Sequence, residues 1–155
     1  MELTHRNLCV KAAKYLRNQG VQPYHRNQYA VCELERVGEC PDAFGWGNSS
    51  TQLIEVKVSR SDFLSDKKKH WRRYSCLGLG RYRSYLCPEG LIKAVDLPKN
   101  WGLLYINEKG DITKVVEPQA QESHHMEEIN LITSILRREG IRPRTFSYKK
   151  YKDQS

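Results

Sequence analysis

A chain of 155 residues, 39% hydrophobic and 28% charged, suits one domain with its own core and holds no run long and apolar enough to span a bilayer. No secretory signal opens it, so a cytoplasmic protein without a membrane partner or small-molecule cofactor is expected. The net charge of +8 is clustered: residues 57–83 carry nine Lys or Arg against Asp62 and Asp66, and residues 137–155 carry seven against Glu139 and Asp153. Two basic patches on a small domain point to a polyanionic partner, nucleic acid first, or else to a solvated surface.

In chain order, residues 4–19 read as an amphipathic helix. Thr4 caps it, Leu8, Ala12, Tyr15 and Leu16 form its apolar stripe, and Gly20 ends it. Residues 28–36 alternate as a strand, with Ala30, Cys32 and Leu34 on one face and Val31, Glu33 and Glu35 on the other. A turn over 38–42 leads to a short strand, 43–46, and a second turn at 47–50. Residues 53–59 are rich in β-branched side chains and read as a strand. Alternation puts Leu53, Glu55, Lys57 and Ser59 on one of its faces and Ile54, Val56 and Val58 on the other.

A helix is predicted from Ser61 to about Cys76, with Asp62 and Asp66 in its first turns and Gly78 and Gly80 breaking it. At 100° per residue, Phe63, Lys67, His70, Trp71 and Tyr74 share its inner side, while Lys68, Lys69, Arg72 and Arg73 face outward. Strands follow at 83–87, 102–107 and 112–116, the last two joined through a turn at Lys109-Gly110. Pro118 marks a boundary between residues 1–118 and a C-terminal part, 119–155. That part holds a helix over 123–138, with Met126, Ile129, Ile132 or Thr133, and Leu136 along one side. A basic tail bearing Tyr148 and Tyr151 follows, and it either wraps nucleic acid or stays loose. Three early strands on short turns and a helical crossover to the next make an α/β fold: a mixed central sheet flanked by helices.

Two opposite charges, Glu55 and Lys57, thus project from one face of a core strand, where charge requires a partner or a task. Asp42 closes the turn entering the preceding strand. If the two strands pair, Asp42 and Glu55 can share a divalent cation, the ligand set suiting Mg²⁺ or Mn²⁺. Such an ion polarises a phosphate and activates a bound water, and Lys57 can orient that water or offset developing charge. Glu33 is a further candidate ligand, with Glu35 competing for the role.

Pro41-Asp42 followed by Glu55-Val56-Lys57 resembles the PD-(D/E)xK nuclease superfamily. The continuation EVKVSRSDFLSDKK, a strand ending in Cys-Pro, and LPKNWGLLYI resemble its branch of MmcB-type DNA repair proteins, over roughly residues 28–116. The resemblance implies a restriction-endonuclease-like core and metal-dependent hydrolysis of DNA, in a repair, recombination or mobile-element setting. It makes Asp42 and Glu55 the metal ligands and Lys57 the catalytic lysine, with Glu33 as the acidic residue of the first core strand. It also leaves room for a homodimer. Residues after Pro118 have no counterpart in it.

Around this centre, Ser59 either bonds a ligand carboxylate or caps the next helix, and Asp62 stands beside it. Lys67 either reaches the scissile phosphate or covers core with its stem. Lys68, Lys69, Arg72 and Arg73, extended by Arg81 and Arg83, form the expected phosphate-binding patch. His70 is expected in the core, as are Trp46, Trp71 and Trp101. The five cysteines are expected to be reduced and mostly buried, and neither their spacing nor His124-His125 gives a zinc signal. The competing readings are an ion pair of Glu55 and Lys57 on a half-exposed sheet, with Asp42 capping a turn, and a nucleic-acid-binding module without chemistry.

Overall fold

The computed structural model describes residues 2–18, 27–47 and 49–143. The elements are α1 (His5–Asn18), β1 (Tyr29–Cys32), β2 (Ala43–Trp46), β3 (Thr51–Val56), α2 (Arg60–Asp66), β4 (Tyr82–Pro88), β5 (Gly102–Ile106), β6 (Ile112–Val116) and α3 (His125–Arg138). Short 3-10 turns stand at His70–Arg72, Ser75–Leu77 and Ala94–Asp96. The expected end of the first helix at Gly20, and Tyr148 and Tyr151 of the basic tail, lie outside the described residues.

The six strands form one sheet in sequence order. β1, β2 and β3 are antiparallel neighbours. β4 then runs parallel to β3, and β5 parallel to β4, because the α2 segment and the turn before β5 carry the chain back across the sheet. β6 closes the sheet as the antiparallel partner of β5. The expected mixed sheet with flanking helices is therefore the observed α/β fold.

Alternation along the strands divides the core between two faces. On one, Ala43, Ile54, Val56, Leu86, Leu104 and Ile106 meet Leu8, Cys9, Ala12 and Leu16 of α1. On the other, Phe44, Leu53, Tyr85 and Leu103 meet Phe63 of α2, Leu131 of α3 and Trp101. β4 is central, with parallel neighbours on both sides, so Arg83 to Cys87 are all buried. Phe63 and Tyr85 contact edge to face at 5.0 Å, and Tyr85 stacks on Trp101 at 4.4 Å. Fully burying a side chain such as Phe63 contributes about 1.5–3 kcal/mol.

Several expectations change. The first strand stops at Cys32 because Glu33 takes a left-handed backbone, φ 49°, which ends the alternation. The predicted helix over 61–76 is seven residues long and then breaks, since Lys69 is extended (φ −61°, ψ 143°) before the His70–Arg72 turn. In α3 the inner face is Glu128, Leu131 and Ser134, whereas Met126 and Ile129 are exposed. Glu128 Oε1 accepts from Thr51 Oγ1 (2.8 Å) and Gly80 N (2.9 Å), which turns a carboxylate inward in place of an apolar stripe. Trp101 is a core residue, while Trp46 and Trp71 are half-buried and His70 is exposed. All five cysteines are free, but only Cys9 and Cys87 are buried.

Candidate active site

Register sets Asp42 at the end of the strand that carries Glu55, with its Oδ1 turned to His5 of α1 at 3.3 Å, while Glu55 and Lys57 stand together on the other side. Ala43 pairs with Ile54, so Asp42, one residue before β2, meets the end of β3. Its Oδ2 accepts the Val56 backbone N–H at 2.8 Å. Lys57 follows directly on β3, and its N–H donates to Leu86 O at 2.9 Å, extending the parallel pairing past the strand. Glu55 and Lys57 occupy the face of Leu53, under α2 and the turn that follows it.

There they enter a buried charge cluster. Lys57 Nζ lies 3.4 Å from Glu55 Oε2 and 3.5 Å from Asp66 Oδ1. Arg72 spans three carboxylates: Glu39, Glu55 Oε1 at 3.2 Å, and Asp66 Oδ2 at 3.0 Å. Asp66 Oδ2 also accepts from Tyr85 Oη at 2.8 Å, and Lys69 Nζ reaches its Oδ1 at 2.9 Å. Glu39 Oε2 accepts from Leu79 N at 2.8 Å, and the guanidinium lies over the Trp101 ring. Glu55, Lys57 and Asp66 are 2%, 3% and 1% exposed. Charges this deep persist only when opposed and hydrogen-bonded, and here cations and carboxylates alternate.

Their proton affinities follow from placement. Burial pushes the Glu55 carboxyl up to about 8, against the opposing pull of Arg72, with Asp42 adding to the rise. Burial also works against ionised Asp66, but Arg72, Lys57 and its hydrogen bonds outweigh it and hold the group below the ordinary carboxylate range. Lys57 is raised: burial lowers it, and Glu55, Asp66, Asp42 and Asp62 more than reverse that. Arg72 is raised in the same way, its carboxylates outweighing burial.

The structure relocates several predicted residues. Arg72, expected outward on a phosphate-binding face, is the hub of the cluster, its side chain 2% exposed. Arg83 is also buried, and its guanidinium donates to the carbonyls of Gly80, Ser75, Gly78 and Glu122, fixing the turns ahead of β4 and α3. Burial pulls its pKa down to about 10. Lys68, Lys69, Arg73 and Arg81 are exposed as expected, although Lys69 is engaged by Asp66. Glu33 is exposed beyond β1, off the alternation that placed it in a core strand, and Glu35 is exposed too. Ser59 caps α2, its Oγ accepting from Asp62 N at 3.2 Å. Exposed Lys67 donates to Asp96 O at 3.0 Å and covers the Phe63 ring. Of the competing readings, the Glu55–Lys57 contact is present at 3.4 Å but sealed, not half-exposed.

Glu39, Asp66 and Tyr85 complete the cluster and were not singled out from sequence. Asp66 reads as a helix-start acid, and Glu39 as a turn residue. Only a buried Tyr in β4 and the broken helix reveal their role. The residues fit a hard divalent cation in donor type. Glu55 Oε1 is sealed from solvent and faces Arg72 Nη2 at 3.2 Å without hydrogen-bond geometry, and the negative charges of Asp42 and Asp66 both act on Glu55.

No helix of the described residues is long and apolar enough to cross a membrane. No protein-family model and no curated protein matches the chain. A solved structure does: a protein of unknown function from Silicibacter pomeroyi, 24% identical, with a TM-score of 0.62 over 90% of this chain and 91% of that one. At this identity the likeness speaks to the fold alone.

Proposed function

We propose that the chain is a metal-dependent nuclease of the PD-(D/E)xK kind that hydrolyses phosphodiester bonds in DNA. The observation that carries this reading is the join of β2 and β3, where Asp42 is fixed on the Val56 N–H at the end of the strand that carries Glu55, and its charge acts on both Glu55 and Lys57. Asp42 and Glu55 would hold Mg²⁺ or Mn²⁺, which supplies Lewis-acid polarisation of the phosphate and a more acidic bound water. Lys57, kept charged and aimed by Glu55 and Asp66, orients the nucleophile and offsets charge on the phosphate oxygens. Tyr85 holds Asp66, and through it Lys57. Arg72 neutralises the carboxylates, so binding of a cation there requires its guanidinium to swing away from Glu55. Lys68, Arg73 and Arg81 are exposed and can meet the backbone of a nucleic acid.

A second reading has an observation of its own. Glu55 and Lys57 are closed off and held against each other and Arg72, which favours a nucleic-acid-binding module or accessory subunit that does not cut alone. Labelled linear and circular DNA, single- and double-stranded, incubated with Mn²⁺ or Mg²⁺ against EDTA, separates the two. Metal-dependent product supports the nuclease. Retention of DNA without product under any metal supports the module.

A further inference from the structure

On the α1 face of the sheet, the helix presents two donor side chains to Asp42. His5 and Cys9 are one helical turn apart, so both side chains leave the same side of α1. That side faces the start of β2. Cys9 Sγ lies 3.5 Å from His5 Nδ1 and 3.9 Å from Nε2, and His5 Nε2 lies 3.3 Å from Asp42 Oδ1. Among the described residues, this is the group of three in which an imidazole nitrogen, a sulfur and a carboxylate oxygen all fall within 4.8 Å of one another.

We propose that His5, Cys9 and Asp42 form a binding site for a thiophilic divalent cation of the Zn²⁺ class. Ligands at about 2.0–2.1 Å (N, O) and 2.3 Å (S) around a tetrahedral ion stand roughly 3.4–3.6 Å apart. The N–O edge already has this length, and the S–N edge needs a few tenths of an ångström. The His5 side chain, 42% exposed, has the freedom to supply that. The Asp42 carboxylate is anchored through its other oxygen to Val56 N, so Oδ1 points at the site from a rigid strand end. Cys9 forms the sealed inner wall. His5 and Asp42 form the open side, where water or a substrate oxygen completes the coordination. A mixed N, S, O set with one open position belongs to zinc rather than to magnesium. Cation binding replaces the thiol proton, which is released to solvent.

The inference shares Asp42 with the nuclease reading but rests on His5 and Cys9, which that reading does not use. The test is titration of the full chain, reduced and stripped of metal, with Co²⁺ followed by ultraviolet and visible absorption. One equivalent should produce an intense thiolate-to-cobalt charge-transfer band, and one equivalent of Zn²⁺ should abolish it. Cys9→Ser should lose the band, and His5→Ala should weaken Co²⁺ binding at least tenfold, while Glu55→Gln keeps it. Because Cys9 is buried, the thermal melt of Cys9→Ser is checked first, and the half-exposed His5→Ala carries the test if that variant does not fold. Absence of the band in the wild type overturns the proposal, as does a band unchanged by His5→Ala. DNA cleavage is measured separately and can fail without affecting either result.

Discussion

Arg72 Nε donates to Asp66 Oδ2 at 3.0 Å inside the protein, although the two residues are six positions apart in what the sequence presents as one helix. On a continuous helix that separation sets side chains about 120° apart. The extended Lys69 breaks the helix and turns Arg72 inward onto Glu39, Glu55 and Asp66. The break therefore decides whether the carboxylates of the candidate site have a second internal counter-ion beside Lys57.

Removing that counter-ion should be costly. Arg72→Leu removes the buried cation that Glu39, Glu55 and Asp66 share and should destabilise the fold by about 3–5 kcal/mol in urea unfolding. Lys68→Ala, on the exposed part of the same segment, should stay within about 0.5 kcal/mol of the parent. Equal effects at the two positions would contradict the assignment of Arg72 to the interior.

Glu55 sets a pH dependence with a definite sign. Its carboxyl ionises near 4.5 when unfolded and near 8 when folded, so between these values the folded state holds the extra proton. Stability from this group is present below pH 4.5 and is lost as pH rises towards 8, with a slope of at most about 1.4 kcal/mol per pH unit. Glu55→Gln lacks that loss, so its melting temperature relative to the wild type should climb between pH 5 and pH 8. A difference that stays flat across this range would show that Glu55 is ionised throughout.

The buried and exposed cations should separate in DNA binding. Neutralising Lys68, Arg73 and Arg81 should make the dependence of log affinity on log salt shallower, by about 0.9 for each duplex phosphate that these side chains neutralise, with the melt unchanged. Arg83→Ala should instead lower the melting temperature, because the guanidinium that joins the carbonyls of Gly80, Ser75, Gly78 and Glu122 is lost. Fluorescence anisotropy across a salt series, beside thermal melts, reads both effects.

Glu128 ties α3 to the sheet by one oxygen that serves both Thr51 and Gly80. Glu128→Ala strands a buried N–H and should cost about 1–3 kcal/mol. Met126→Ala, on the exposed side of the helix, should be close to neutral. Denaturant midpoints of the two variants check which side of α3 meets the core, on which Ile132 also packs as expected.

Much of the fold was legible because it rests on local signals. Alternation in residues 53–59 and the short turns ahead of them placed β2, β3 and the antiparallel start of the sheet, and the Thr4 cap marked α1. The faces of β3 were read correctly, so Glu55 and Lys57 were found together. What was missed depends on long-range partners. Periodicity treats Arg72 as a point on a helix and cannot register three carboxylates drawing it inward. For the same reason Arg83 reads as surface charge and Glu128 carries no signal, although each satisfies buried backbone groups from distant turns. His5 and Cys9 carried a usable signal, ligand spacing on one helix face, but their third partner arrives only when β2 packs on α1.

The most direct test of the central claim is DNA cleavage by wild type, Glu55→Gln and Lys57→Met in Mn²⁺, with DNA binding and thermal melts measured on the same preparations. The account predicts cleavage by the wild type, its loss in both variants, and DNA binding retained by folded protein in all three. Wild-type protein that binds DNA but leaves it intact, or variants that cut as well as the parent, would contradict it.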